Sequence, residues 1–257
     1  MKGAQRKERI DAKGLERAIH LWSANLDQVD ESGEDILDAQ EREKAAACRI
    51  PLLRKRFVKS RLILRHILSV YLNQPAPDIG FLYHGNGKPY LKNHPLYFNL
   101  SHSHEQWLVA LTGRQEIGAD VQKMEQLAGM DAIIKRYFPK EEQERLGSLS
   151  QEQKKPAFYH LWTVKEAFVK AYGRVLAGNL SRIRQQGKFI CWENEPEHQG
   201  ETASWVAGEN FMAALAVKGE MKPVCFLDWH RDYRDFQKGT INDGSGRYRP
   251  PHHWLLD

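Results

Sequence analysis

The chain is poor in cysteine and lacks any long hydrophobic run. Its three cysteines, Cys48, Cys191 and Cys225, are too few and too scattered for a disulfide framework or a zinc site. That scarcity points to a reducing, cytoplasmic setting. No apolar stretch approaches the ~18 residues of a membrane-spanning helix, so no membrane association is expected. The opening "MKGAQRKERIDAKG" is basic, but no apolar segment follows it, unlike a secretory signal. Strong charge of one sign is missing too: the formal net charge is +5 over 257 residues. A mild positive excess favours anionic partners, whether nucleic acid, phosphorylated small molecules or acidic proteins. With 41% hydrophobic and 28% charged residues, the composition is that of a globular protein with a sizeable core.

The first strand pattern is "AIHLWSANLD" (18–27), followed by an acidic, helix-compatible stretch from Asp35 to Ala47. Helical spacing of Phe57, Leu64, Ile67, Leu68 and Tyr71 predicts a long helix within 49–72, broken by "NQPAPDIG". Short strands are expected in 81–91 and 96–103, a second helical region over 130–146, and a polar loop over 147–156. From there to about Asp228 the pattern is strand-rich, and the Gly- and Pro-rich tail 237–257 reads as a loose wrap. "HEQWLVALTGR" (104–114) and "ENFMAALAVKG" (209–219) share an apolar Ala-Leu strand with a basic turn. This recurrence suggests two related halves with a seam between them.

Four stretches can carry chemistry. In "FYHLWTVKEAFVKAYG" (158–173), helical spacing places Leu161, Val164, Phe168 and Ala171 on a core stripe, with Thr163, Glu166 and Lys170 roughly opposite. Taken alone, that is most simply a solvated Glu-to-Lys pair worth ~0.2–0.5 kcal/mol. In "EIGADVQ" (116–122), Asp120 sits at the expected end of a strand. It is either a turn-capping residue or a carboxylate aimed into a cleft, where with Glu166 it could hold Mg²⁺. In "FNLSHSHEQW" (98–107), Ser101, His102 and Ser103 could bind phosphate or form a polar loop. A Ser-His nucleophile pair is disfavoured, because adjacent strand residues point to opposite faces. Finally, Arg49, Arg54, Lys55, Arg56, Lys59, Arg61 and Arg65 crowd one helical region, with Lys88 in "GKPYL" downstream. Such density suits a solvated face or a multiply phosphorylated ligand.

In this order, "GKPYL", "FNLSHS", "IGADV" and the Trp-to-Lys helix motif resemble the 4′-phosphopantetheinyl transferases, specifically the Sfp-type class. "RFVKSRLILR" and "RYFPKEE" add support, and the resemblance spans roughly residues 18 to 192, more loosely to 228. It implies an α+β pseudodimer of two similar subdomains, each an antiparallel sheet packed with a long helix. The expected division is 1–115, 116–236 and a tail over 237–257. It implies a monomer that moves 4′-phosphopantetheine from coenzyme A to a serine of an acyl- or peptidyl-carrier protein, in fatty-acid or secondary-metabolite biosynthesis, releasing adenosine 3′,5′-bisphosphate. Asp120 and Glu166 would hold Mg²⁺, with Glu166 also accepting the serine proton. Lys170 and Lys165 would act on the phosphates as catalytic cations. Ser101, His102, Lys88, Arg49, Arg54 and Arg56 would complete the coenzyme A pocket, with His102 toward the 3′-phosphate. Many relatives carry Glu where this chain has Gln122, which leaves two protein carboxylates for the metal. A noncatalytic coenzyme A- or carrier-binding homologue is the alternative. A nucleic-acid module, suggested by the basic stretch and the tryptophans, matches no recognition motif.

Overall fold

The computed structural model describes residues 14–239 except 86, 93, 95, 176, 177 and 179. The expected tail thus lies, from residue 240 on, outside the described residues. The first half contains β1 (Ile19–Asn25), α1 (Ala39–Ala47), α2 (Pro51–Leu72), β2 (Phe81–Tyr83), β3 (Pro89–Leu91), β4 (Tyr97–Ser103) and β5 (Gln106–Thr112). The second half contains β6 (Ile117–Lys123), α3 (Met130–Tyr137), α4 (Lys140–Gly147), α5 (Gln151–Ala171), β7 (Ile183–Gln186), β8 (Phe189–Trp192), β9 (Glu195–Val206) and β10 (Phe211–Lys218). Then come β11 (Val224–Asp228) and α6 (Trp229–Gln237).

Local chemistry sets the ends of these helices. Asp38 and Glu41 form a capping box on α1, and Ser150 and Gln153 form another on α5. The second box starts α5 inside the stretch read from sequence as a polar loop, and Pro156 is carried within its early turns. The helical region expected over 130–146 is split in two, because Phe138 is extended ahead of Pro139.

The two halves repeat one plan. In the first, β1–α2–β4–β5 builds antiparallel pairs in the order β1-β5-β4; in the second, β6–α5–β9–β10 builds them in the order β6-β10-β9. The recurring Ala-Leu strands are β5 and β10, the equivalent inner strands. This is the α+β pseudodimer. The first sheet is completed by β11, which pairs parallel to β1. Thus a strand from the C-terminal part of the chain returns to the N-terminal sheet, and α6 packs there too, its Phe236 against Trp22 and Tyr71.

Alternation along the strands builds the layers. Trp22, Trp107 and Val109 face α2, packing with Ile63, Leu64 and Ile67. Leu21, Leu108 and Ala110 face the second sheet, meeting Ala119, Val121 and Leu215. On that sheet's outer side, Ala214 and Ala216 pack against Val164 and Phe168 of α5. Among the described residues, no helix is long and apolar enough to cross a membrane.

Two histidines are sealed inside this core. The Tyr71 hydroxyl accepts from Trp22 Nε1 (3.1 Å) and is left to donate to His20 Nδ1 (2.7 Å). His160 Nδ1 lies 2.9 Å from Ser204 Oγ. Burial pushes both imidazoles down to about 4. The folded pKa therefore lies below the unfolded ~6.5, so the stabilisation is intact above pH ~6.5 and lost as pH falls toward 4. Denaturant midpoints should drop across that window. A His20→Gln, His160→Gln double variant should flatten the drop, whereas an equally steep fall in it would assign the acid sensitivity elsewhere.

Candidate active site

The site lies where the halves meet, and the edge of β4 makes the joint. Asn99 Oδ1 accepts from the Ala119 amide (2.8 Å), Ser101 Oγ from Val121 (3.4 Å) and Ser103 Oγ from Lys123 (3.1 Å). Every second side chain of β4 thus satisfies every second backbone N–H on the open edge of β6. With β10 paired along the opposite edge, β6 continues to Lys123. Asp120 is therefore in the middle of the strand, not at its end as the sequence pattern suggested.

Gly118 decides what lies over Asp120. A Cβ there would be 1.9 Å from the Ala167 carbonyl oxygen and 2.5 Å from the Ala171 amide nitrogen. Only glycine lets α5 lie this close to β6. The same approach buries α5 on nearly all sides, including Thr163 and Glu166, which helical periodicity placed on a solvent face.

Around Asp120, the side chains converge. Its Oδ1 accepts from Ser101 Oγ (2.9 Å) and Lys170 Nζ (2.5 Å), and Lys170 also reaches Ser101 Oγ (3.2 Å). Gln122 Nε2 spans Asp120 Oδ2 (3.1 Å) and Glu166 Oε2 (3.3 Å). Lys170 Nζ lies 3.9 Å from Glu166. Burial, then the Asp120 charge, pushes the Glu166 carboxyl up to about 8 despite Lys170. Burial would lower Lys170, but Asp120 and Glu166 outweigh it and hold the ammonium charged. Two carboxylates thus face one another with an excess of negative charge that a proton or a cation must offset.

The donor set suits a hard divalent cation. Among the described residues no cluster of three or more His, Cys, Asp or Glu groups could hold a metal. Two carboxylates with water and phosphate oxygens are the usual Mg²⁺ set. Rotating the Gln122 amide would turn its oxygen, rather than its nitrogen, toward both carboxylates and any ion between them.

Other expected site residues lie elsewhere. Lys165 is fully buried on another side of α5, bonded to Glu142 Oε2 (2.5 Å) and the Leu180 carbonyl (3.3 Å). Neighbouring helix positions differ by about 100°, so Lys165 ties α5 to α4 while Glu166 faces Asp120. Lys88 gives hydrogen bonds to Glu116 (3.0 Å) and to the Ile117 (3.2 Å) and Lys170 (3.0 Å) carbonyls. These bonds tie the start of β6 to the end of α5. Arg54 is paired with Glu34 (3.2 Å), and Arg56 grips Asp27 through both nitrogens (3.0 and 2.7 Å). Arg49 is exposed in the link between α1 and α2. His102 follows Ser101 on β4 and is exposed as a residue. Crowding by protein, then the charges of Arg61, Lys170 and Arg56, lowers its pKa.

Sequence comparison agrees with this geometry. Residues 116–209 match the model of the 4′-phosphopantetheinyl transferase superfamily. The chain is similar to the 4′-phosphopantetheinyl transferase HetI of Nostoc sp., 34% identical over 80% of this chain and 90% of that protein. It is 32% identical to the 4′-phosphopantetheinyl transferase Sfp of Bacillus subtilis, over 49% of this chain and 58% of that one. The solved holo-(acyl-carrier-protein) synthase of Thermotoga maritima aligns with 41% of this chain and 63% of its own. At 20% identity and a TM-score of 0.33, that likeness is too loose to bear on the fold.

Proposed function

The chain belongs to the 4′-phosphopantetheinyl transferases, and on that premise we propose that it moves phosphopantetheine from coenzyme A to a carrier-protein serine. The observation that carries this reading is the convergence of Asp120, Glu166 and Lys170 at the seam. A protein that only bound coenzyme A would need the cations but not two buried carboxylates facing one another beside Lys170.

The serine oxygen forms a bond to the phosphorus that bears pantetheine, as the bond from that phosphorus to the bridging diphosphate oxygen breaks. The serine proton passes to Glu166, which a bound cation would keep ionised and able to accept it. The leaving adenosine 3′,5′-bisphosphate takes the electron pair, and Lys170 balances the charge it gathers. Mg²⁺, held by Asp120 and Glu166, would neutralise the diphosphate oxygens. Ser101 orients Asp120 and Lys170 together. Both halves of the site come from one chain, which suits a monomer. The acceptor would be an acyl- or peptidyl-carrier protein of fatty-acid or secondary-metabolite synthesis.

Release of adenosine 3′,5′-bisphosphate, followed chromatographically, tests this reading. Release should require chain, apo-carrier and Mg²⁺ together, and release without a carrier would point to simple hydrolysis. Gln122→Glu adds a third carboxylate and should lower the Mg²⁺ concentration for half-maximal rate on the order of tenfold. An unchanged requirement would remove Gln122 from the metal's surroundings.

A further inference from the structure

The ammonium of Lys88 is fully engaged at the seam. Lys88 directly precedes β3 in the first half, yet three acceptors of its Nζ belong to the second half. Glu116 Oε2 accepts at 3.0 Å, the Ile117 carbonyl at 3.2 Å and the Lys170 carbonyl at 3.0 Å. An ammonium has three N–H donors and no acceptor, so these bonds match its whole capacity. Its side chain is only 8% exposed. As the lysine of "GKPYL", Lys88 is a candidate phosphate contact. Engaged in this way, it has no donor to turn toward a phosphate.

Each of the three acceptors sits where β6 and α5 meet. Ile117 opens β6 and Glu116 precedes it, while Lys170 is the next-to-last residue of α5. Carbonyls in the last turn of a helix lack an intrahelical partner, and a cation there also meets the negative end of the helix dipole. The Gly173 amide bonds the Lys170 carbonyl at 3.1 Å, and Lys88 adds a second donor from the other half.

Lys170 is therefore held at both ends. Its carbonyl is fixed by Lys88, and its Nζ bonds Asp120 Oδ1 and Ser101 Oγ. Gly118, one residue past Ile117 and two before Asp120, is where α5 comes close to β6. Lys88 thus clamps the strand and the helix beside their point of closest approach. A shift of the last turn would carry Lys170 with it, and Glu166, one turn earlier on α5, would follow.

We propose that Lys88 is a positioning residue, whose bonds to the Lys170 carbonyl and the start of β6 set Lys170 and Glu166 against Asp120. This assignment rests on the transfer reading of the site. Lys88 keeps its own ammonium off the phosphates and acts through Lys170, which meets them.

Steady-state kinetics and crystal structures of Lys88 variants test this. Lys88→Met keeps the apolar stem and removes the ammonium. It should lower kcat about 10- to 100-fold with KM for coenzyme A unchanged, and in the crystal Lys170 Nζ should stand beyond hydrogen-bond reach of Asp120. Lys88→Arg, which keeps the charge and the fold if Lys88→Met does not, cannot place one nitrogen on all three acceptors. It should lower kcat in the same way by a smaller factor, whereas at a phosphate contact arginine would serve as well as lysine. In a Lys170→Met background, Lys88→Met should lower the residual rate little further, because the residue it acts through is gone. Full additivity, a raised KM with kcat kept, or a lower melting temperature with kcat unchanged would each overturn the proposal. The crystal structures separate this from the transfer reading. A wild type that transfers nothing, with the Lys170–Asp120 pair opened in Lys88→Met, would sustain the positioning and sink the transfer. Transfer by the wild type, with that pair intact in Lys88→Met, would do the reverse.

Discussion

Glu166→Gln should lower the transfer rate by about 10²- to 10⁴-fold, the usual range for removing a positioned general base, while leaving the protein folded. Both halves of that expectation come from one feature. Glu166 is buried against Asp120, and its carboxyl is pushed up to about 8. At neutral pH without a bound cation it therefore carries a proton, and glutamine has nearly the shape of that protonated acid. The substitution keeps the packing and the Gln122 contact but removes the proton acceptor and one of two carboxylates. Thermal melting at neutral pH should move little, because the amide replaces a carboxyl that is already uncharged there. A rate within a few-fold of wild type would take Glu166 out of the chemistry. An unfolded variant would show that the carboxylate is structural.

Gly118→Ala should have the second large effect, and for a different reason. The new methyl would fall 1.9 Å from the Ala167 carbonyl oxygen. That atom belongs to helix backbone, so relief requires α5 to shift as a body. Overpacking of this kind costs about 1–3 kcal/mol or more. A shift near 1 Å, separating Glu166 and Lys170 from Asp120, is worth on the order of 10² in rate. Gly147→Ala is the matched control, since a Cβ there meets nothing within 4 Å. Circular dichroism melts and transfer rates on the two variants check this. Equal behaviour of the two would mean that the closeness of β6 and α5 does not govern the site.

Much of the framework was legible because it is local. Alternation marks β1 and β4, helical spacing marks α2, and the two Ala-Leu strands turned out to be equivalent positions of a repeated plan. The structure brings Asp120, Glu166 and Lys170 together, with Ser101 bonded to Asp120 and Lys170. What could not be read is nonlocal. Lys165 adjoins Glu166 in sequence, yet its partner Glu142 comes from another helix. Arg54 and Arg56 are part of a dense basic run, but Glu34 and Asp27, upstream of α2, neutralise them. The run therefore overstates its free charge. Burial of α5 on its charged side also escapes periodicity, because Gly118, on another element, decides it.

The central claim is that Asp120, Glu166 and Lys170 transfer phosphopantetheine rather than only hold its donor. Intact-mass spectrometry of apo-carrier proteins incubated with the chain, coenzyme A and Mg²⁺ tests it most directly. The account predicts that a carrier gains one phosphopantetheine on its serine, and that the gain disappears with Glu166→Gln or with chelation of the metal. Carriers of the acyl and peptidyl classes that all remain unmodified, with coenzyme A bound and the chain folded, would contradict it.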